Sequence, residues 1–188
     1  MNILQLKPCT PEDVTAAVPL IYASGPDAFE FVFKNDEKSA KDFLAFAFLR
    51  KGGEFSFDNH YALWENNQLV GVGALYNHSR AATFLVNDAV NIIRFYGWKF
   101  LVHSLNGLKA ETIIKPPGKN EITLGHLGIK EELRGKGFGT HLINLLVQQV
   151  EKMEQEYFVL DVSEENPKAK VLYERMGFTV VKKYESTF

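Results

Sequence analysis

Three glycines at alternate positions, Gly135, Gly137 and Gly139, stand beside the cations Arg134 and Lys136 near the end of the chain. Glycine lacks a Cβ atom and so lets a ligand approach the main chain. A strongly patterned helix follows, and a helix N-terminus presents unpaired N–H groups and the positive end of the helix dipole. These features suit phosphate, so the segment predicts an anion-binding loop.

Two common phosphate loops do not fit this spacing. A P-loop requires four residues between its first glycine and a Gly-Lys-Ser/Thr triplet, and that arrangement is absent. A dinucleotide-binding loop requires Gly-x-Gly-x-x-Gly near the start of a βαβ unit, whereas this loop reads Gly-x-Gly-x-Gly and lies late in the chain. A plain tight turn needs only one glycine, so three favour binding.

The elements around the loop follow from periodicity. A helix is predicted over 137–155, with Phe138, Leu142, Leu145, Leu146, Val150 and Met153 on one stripe. A strand over 121–129 precedes the loop, and a buried strand over 157–162 follows the helix. Asn166-Pro167 begins a short helix that ends at Gly177, and a last strand is predicted over 178–181.

The rest of the chain supplies a strand, several helices and a hairpin. The predictions are a strand over 3–6, helices over 10–22, 27–33 and 39–50, a β-hairpin over 61–76, and two helices over 81–109 that break near Gly97 and end at Gly107. No repeat or linker is visible. We expect one mixed α/β domain over residues 1–188.

Composition excludes several classes of function. A net charge of -2 and a pI near 6.2 give no field that gathers nucleic acid or anionic lipid. The single cysteine, Cys9, allows no internal disulfide and no metal cluster, so no metal is expected. The most apolar stretch, 81–108, contains Asp88, Arg94 and Lys99, too polar for a membrane span. Without a signal-peptide pattern at the start, we expect a cytoplasmic protein.

Two motifs together resemble those of the GNAT superfamily of N-acetyltransferases. Arg134-x-x-Gly137-x-Gly139 is similar to the family signature Gln/Arg-x-x-Gly-x-Gly/Ala. The segment Asn166-Pro-Lys-Ala-Lys-Val-Leu-Tyr173-Glu-Arg-Met-Gly-Phe178 is similar to Asn-x-x-Ala-x-x-Leu-Tyr-x-x-x-Gly-Phe, the second motif. The resemblance covers about 121–184. It implies a mixed, mostly antiparallel sheet flanked by helices, with a helical insertion between the hairpin and the central strand.

The resemblance also implies acetyl-CoA as the acyl donor and assigns residues to it. The coenzyme pyrophosphate would lie on the main-chain amides of Arg134, Gly135, Lys136, Gly137, Phe138, Gly139 and Thr140. The pantetheine arm would run along the preceding strand near Leu127 and Ile129, in a slot where this strand and the next one diverge. An N–H of the strand would stabilise the oxyanion, and Gly128 lies at this place, its missing side chain suiting a close approach of the arm.

Tyr173 matches the family tyrosine that protonates the leaving thiolate. A phenol with a pKa near its reference value of about 10 is protonated at neutral pH and can act as this acid. The alternative is a helix tyrosine that only packs its ring. Asn166 is expected to cap its helix and to contact the pantetheine arm.

The general base is where the sequence departs from the family pattern. Thr123 occupies the position of the usual strand glutamate, and a threonine is no base at neutral pH. Glu121, two residues earlier, would share the strand face of Thr123 and is the candidate base. Alternation puts His126 on the opposite face unless a bulge intervenes. A substrate that arrives partly deprotonated would need no dedicated base.

The acceptor is expected to be a primary amine of a small molecule, a peptide N-terminus or a lysine. About forty residues, 79–119, form the insertion, which would line the acceptor pocket, form the face of a homodimer, or simply enlarge the core. Because Thr123 replaces the glutamate, a non-catalytic acyl-CoA-binding sensor of the same fold is the alternative function.

Overall fold

A computed structural model describes residues 4–111, 115–153 and 155–185. The strands are β1 (Leu4–Pro8), β2 (His60–Glu65), β3 (Gln68–Asn77), β4 (Glu121–Ile129) and β5 (Tyr157–Val159). The α-helices are α1 (Val14–Tyr22), α2 (Pro26–Phe33), α3 (Ala40–Phe48), α4 (His78–Tyr96), α5 (Phe100–Glu111), α6 (Phe138–Val150) and α7 (Pro167–Arg175). Short 3-10 turns at Pro11–Asp13, Phe57–Asn59, Gly97–Lys99 and Glu131–Leu133 join them.

The five strands form one sheet in the order β1-β2-β3-β4-β5. The first four pair antiparallel, and β4 pairs parallel with β5. Asn66 and Asn67 both have positive φ, 47° and 64°, which is the geometry of a two-residue hairpin turn between β2 and β3. The mixed, mostly antiparallel sheet and the predicted hairpin are therefore confirmed.

Helices cover both faces of the sheet and create two apolar clusters. On one face, α1, α2 and α3 bury aromatic side chains that include Phe29, Phe33, Phe43 and Phe48. On the other face, α6 buries Leu142, Ile143 and Leu146, and α7 packs at the edge of this cluster through Leu172, Tyr173 and Met176. The stripe predicted for α6 supplies three of its four buried residues, Leu142, Leu146 and Val150, and the fourth, Ile143, lies beside that stripe.

Several boundaries differ from the predictions. Helix α5 continues through Gly107 to Glu111, so this glycine does not end the helix, and a Cβ atom there would make only an ordinary contact, 3.9 Å, with Val32 of α2. Helix α6 ends at Val150 instead of 155, and β5 spans three residues instead of six. The strand predicted over 178–181 is absent from the described residues, because Thr179 to Val181 are exposed and only Phe178 packs inward. Residue 3 of the first predicted strand lies outside the described residues.

Helices α4 and α5 occupy the connection between β3 and β4, where the helical insertion was expected, and Gly97 marks the break between them. Helix α4 contacts residues 52–54, which lie in the loop before β2. Asp88 Oδ2 accepts a hydrogen bond from the Glu54 N–H at 2.9 Å, and Asn87 Nδ2 donates to Gly52 O at 3.0 Å. The insertion therefore fixes the conformation of residues 52–54. Across 4–111, 115–153 and 155–185, none of the helices combines the length and apolarity needed to traverse a bilayer.

Candidate active site

Strands β4 and β5 pair only at their first residues and then separate. The pairs are Glu121 with Tyr157, Ile122 with Phe158 and Thr123 with Val159. From Leu124 onward, the outer edge of β4 faces no partner strand in the described parts of the chain. An unpaired strand edge exposes main-chain donors and acceptors that an extended ligand can bind.

The direction of the β4 main chain follows from its pairing with β3. The N–H of Lys130 donates to Val70 O, and Gly128 is paired opposite Val72, so both residues point their N–H and C=O groups at β3. Because alternate residues of a strand point to opposite edges, Leu127 and Ile129 present their main-chain groups to the open slot. Arg134 Nε occupies one of these groups by donating to Ile129 O at 3.2 Å.

Gly128 is glycine for a different reason from the one expected. A Cβ atom there would lie 2.8 Å from the carbonyl carbon of Leu20 and closer still to its oxygen, because α1 crosses the strand at this point. Helix α1 therefore occupies the space in which a side chain at Gly128 would lie. The N–H of Gly128 faces β3, whereas the N–H of Leu127 faces the open slot.

The glycine-rich loop leads into the first turn of α6. Gly135 and Gly137 have φ values of 75° and 88°, which L-residues rarely adopt, and no atom lies near either missing side chain. The N–H groups of Arg134 and Lys136 donate within the loop to Glu131 O and Leu133 O. The amides that remain for a ligand are that of Gly135 in the loop and those of Gly137, Phe138, Gly139 and Thr140 at the helix N-terminus.

Helix α7 packs against the start of α6. Of the second motif, Asn166 caps this helix and Tyr173 lies within it. A Cβ atom at Gly139 would lie 3.3 Å from Leu172 Cδ2, so the third glycine permits the close approach of the two helices. Burial raises the pKa of Tyr173 to about 12, which keeps its hydroxyl protonated at neutral pH. Asn166 caps α7, its Oδ1 accepting from the Ala169 N–H at 3.2 Å, and this confirms the capping prediction.

A β-bulge in β4 decides the position of His126. The register between β3 and β4 shifts at Gly73, and His126 takes the left-handed conformation with φ 50°. Leu124 and Leu127 then both lie under α6, where a Cβ atom at Gly73 would meet them, and His126 turns to the opposite face among Phe29 and Phe55. The bulge therefore moves His126 to the face of β4 that packs against the N-terminal helices.

His126 belongs to a buried relay whose tautomers are fixed by a main-chain carbonyl. His60 Nδ1 lies 2.7 Å from Ser56 O, and since a carbonyl only accepts, this nitrogen carries the proton. His60 Nε2 is then the acceptor for His126 Nδ1–H at 3.1 Å. Burial lowers the pKa of His60 to about 4, and burial followed by repulsion from His60 lowers the pKa of His126 well below its usual value.

Glu54 faces the remaining nitrogen of this relay. Its Oε1 lies 3.6 Å from His126 Nε2, and its side chain is 32% exposed, whereas that of His126 is 9% exposed. The buried hydroxyl of Tyr76 hydrogen-bonds Glu54, and burial, with the charges of Glu54 and Asp161, raises the pKa of Tyr76 well above its usual range. Tyr76 is therefore protonated and donates to the carboxylate.

The sequence candidate for the base lies elsewhere on the strand. Glu121 is the first residue of β4, and its Oε2 accepts a hydrogen bond from the Gly118 N–H at 2.7 Å. Thr123 is buried opposite Tyr76 of β3. Sequence reasoning named His126 but missed Glu54, His60 and Tyr76, because these residues come from two strands and a loop that only the folded sheet brings together. The single sequence signal is the polar pair Glu54 and His60 within an aromatic segment.

A mixed sheet that opens beside a glycine-rich helix start, with a half-buried tyrosine on the helix packed against it, has the architecture of an acyltransferase. The chain belongs to the acetyltransferase (GNAT) family, whose family model matches residues 26–178. This confirms the resemblance inferred from the two motifs and makes the protein an acyltransferase enzyme.

Solved structures share the fold. An N-acetyltransferase from Staphylococcus aureus Mu50 is 17% identical, with 96% of this chain and 93% of that chain covered and a TM-score of 0.73. A ribosomal-protein-alanine N-acetyltransferase from Brucella melitensis biovar Abortus 2308 is 17% identical, with 100% and 99% covered and a TM-score of 0.55. A predicted acetyltransferase with acetyl-CoA from Clostridium acetobutylicum is 13% identical, with 100% and 96% covered and a TM-score of 0.55. A comparison with curated proteins finds no significant match.

Proposed function

We propose that the protein transfers the acetyl group of acetyl-CoA to a primary amine by direct attack of the amine on the thioester. The observation that carries this proposal is the open outer edge of β4, which is followed, after a 3-10 turn and the glycine-rich loop, by free amides at the start of α6. An extended pantetheine arm suits the strand edge, and a pyrophosphate suits the helix N-terminus.

Each part of the coenzyme has a named partner in this proposal. The pyrophosphate binds the amides from Gly137 to Thr140, with the side chains of Arg134 and Lys136 beside it, and the arm follows Leu127 and Ile129. The Leu127 N–H stabilises the negative oxygen that develops when the amine attacks. The structure of a predicted acetyltransferase with acetyl-CoA from Clostridium acetobutylicum shares the fold and supports the choice of donor.

The acceptor class rests on charge and on a structural neighbour. Glu54 provides an anionic group next to the slot, which favours a basic acceptor over a hydroxyl. The ribosomal-protein-alanine N-acetyltransferase that shares the fold acts, by its name, on a protein alanine. The acceptor is accordingly a small-molecule amine, a peptide N-terminus or a lysine.

Incubation with acetyl-CoA and a panel of amines tests the proposal. The panel contains alkylamines, arylalkylamines, a polyamine, N-terminal peptides and lysine peptides, and released thiol is followed with time. We expect thiol release above hydrolysis for at least one acceptor, with the acetylated amine identified by mass spectrometry. If acetyl-CoA binds but no amine or peptide raises thiol release, the proposed transfer is wrong.

Replacing Tyr173 with phenylalanine is expected to lower kcat about 100-fold. The variant keeps the half-buried ring but removes the protonated hydroxyl that would neutralise the leaving thiolate, and general acids contribute about 100-fold or more. The dissociation constant of acetyl-CoA should stay the same. Tyr157→Phe, on the exposed face of β5, is the matched control. An unchanged kcat in Tyr173→Phe would leave the tyrosine with a packing role only.

We also propose that a second copy of the chain covers the outer face of α4 and α5. Seven large apolar side chains on these two helices are 47–66% exposed: Leu85, Val86, Ile93, Leu101, Val102, Leu105 and Leu108. Monomers rarely expose so much apolar surface, and a two-fold dimer buries the same patch twice. We expect light scattering to give a dimer mass for the wild type and for Val180→Glu, and a monomer mass for Leu105→Glu. A monomeric wild type would contradict this proposal.

A further inference from the structure

Two hydrogen-bond acceptors face each other across 3.6 Å in the candidate site. The Ser56 carbonyl accepts from His60 Nδ1–H, and His60 Nε2 accepts from His126 Nδ1–H. The lone pair of His126 is therefore on Nε2, and the group opposite this nitrogen is the Glu54 carboxylate. Two acceptors at this distance cannot bond to each other. A donor with two N–H groups, lying about 2.9 Å from each atom, would satisfy both.

The carboxylate is already oriented for this task by its other contacts. Tyr76 donates to Glu54 from the buried side, and the Glu54 main chain is held by Asp88 of α4. His126 is held by its hydrogen bond to His60. Neither the Glu54 carboxylate nor the His126 ring therefore needs to reorganise when a donor arrives. The exposed third of the Glu54 side chain leaves the pair accessible from solvent.

We propose that Glu54 and His126 form the receptor for the acceptor nitrogen, and that His126 Nε2 takes its proton during transfer. The inference rests on the proposed function. A neutral primary amine has two N–H groups and one lone pair. If one N–H binds Glu54 and the other binds His126, the lone pair is left to attack the thioester. A secondary amine has a single N–H and cannot bind both groups.

The proton balance of the step is simple. The amine lone pair forms the C–N bond as the thioester carbonyl becomes an oxyanion, and the nitrogen becomes strongly acidic because it gains a positive charge. His126 Nε2 then accepts one proton from this nitrogen. The oxyanion collapses, the C–S bond breaks, and the thiolate receives the Tyr173 proton. His126 releases its proton to solvent past Glu54, and the phenol is reprotonated from water. The net products are the amide and the free thiol, because the proton that leaves His126 balances the proton that restores the phenol.

The surroundings of the pair also select the body of the acceptor. Phe29 and Phe55 lie 6.0 Å and 5.2 Å from the His126 ring, measured between ring centroids, and both are buried. A flat apolar group next to the amine would pack against this aromatic surface. An arylalkylamine such as phenethylamine is therefore the probe of choice.

Binding tests the receptor without any need for turnover. Phenethylamine and its N-methyl and N,N-dimethyl derivatives are titrated into the CoA-loaded protein at a pH above 9, with the histidine rings labelled with ¹⁵N. We expect the His126 Nε2 resonance to move with the primary amine, and at least tenfold weaker binding of both methylated derivatives. Equal binding of all three amines, or a His126 resonance that does not move, would overturn the proposal.

Variants then separate recognition from proton transfer. His126→Asn is chosen because asparagine tolerates the left-handed backbone at this position. We expect this variant to lower kcat about 100-fold and to lose the preference for the primary amine. Glu54→Gln, which removes the charge, should raise the KM of the amine more than it lowers kcat. Glu37→Gln, at an exposed carboxylate that pairs with Lys99, is the control.

The failure of the inference differs from the failure of the proposed function. If the wild type acetylates amines and His126→Asn does so equally well with the same preference, the receptor is wrong and the acetyltransferase proposal stands. The same holds if Glu121→Gln abolishes turnover while His126→Asn retains it, since the base is then Glu121. If no amine is acetylated, the proposed transfer is wrong, and the ¹⁵N titration still decides whether the pair binds a primary amine.

Discussion

Replacing Gly128 with alanine is expected to destabilise the protein by about 3 kcal/mol, the upper part of the range for overpacked cores. The new methyl group would lie 2.8 Å from the Leu20 carbonyl carbon of α1, and this atom belongs to the backbone, so no side-chain rotation relieves the contact. Helix α1 must move away from the sheet. For a chain of this size, the change corresponds to a fall in Tm of roughly 6–12 °C, measured by calorimetry or circular dichroism.

Gly107→Ala is the matched control for this substitution. Gly107 lies inside α5, and its nearest neighbour, Val32 Cγ1, is 3.9 Å from the position of the new Cβ atom, an ordinary contact. Alanine is favoured over glycine inside a helix, so the control should be about 0.5–1 kcal/mol more stable than the wild type. A Gly128→Ala variant with the wild-type Tm would show that α1 does not cross the strand as closely as described.

Replacing Gly137 with valine is expected to weaken acetyl-CoA binding about 10–100-fold. A β-branched residue is strongly disfavoured at the φ of 88° found here, and backbone strain of this kind costs about 1–3 kcal/mol. Because no atom lies within 4 Å of the missing side chain, the loop can relieve the strain by turning its amides, and those amides are the proposed pyrophosphate ligands. Isothermal titration with acetyl-CoA measures the change.

Gly97→Val provides a close control for backbone strain. Gly97 also has a positive φ, 59°, and no atom within 4 Å of its missing side chain, but it lies in the connection between α4 and α5. Both variants should lose similar amounts of stability. Only Gly137→Val should lose affinity for acetyl-CoA. If the two variants bind acetyl-CoA equally well, the loop is not the pyrophosphate site.

Much of the fold follows from local patterns that need no tertiary information. The apolar stripe of α6, the Asn66-Asn67 turn and the cap at Asn166 are each specified by neighbouring residues, and the structure contains all three. Predictions were wrong where packing between distant segments decides the outcome. Gly107 lies inside α5, which packs against α2 and continues to Glu111. Helix α6 ends at Val150, although its apolar pattern extends to Met153.

The candidate site shows the same division. The glycine loop and Tyr173 are part of local motifs and were found from sequence, and their roles in binding and catalysis stay predictions. The bulge at His126 depends on the register between β3 and β4, which sequence alternation does not reveal. Glu54 and His60 meet His126 across about 70 positions of sequence, and only the folded sheet joins them. The need for glycine at position 128 likewise depends on a residue distant in sequence, Leu20, whose main chain leaves no room for a side chain.

A crystal structure of the protein with bound CoA tests the central claim most directly, namely that the slot beside β4 and the start of α6 together hold the acyl donor. We expect the pyrophosphate on the amides of Gly137 to Thr140, the pantetheine arm hydrogen-bonded to Leu127 and Ile129, and the sulfur near the Tyr173 hydroxyl. CoA bound at another surface, or a slot closed by pairing of β4 with another segment, would contradict the account.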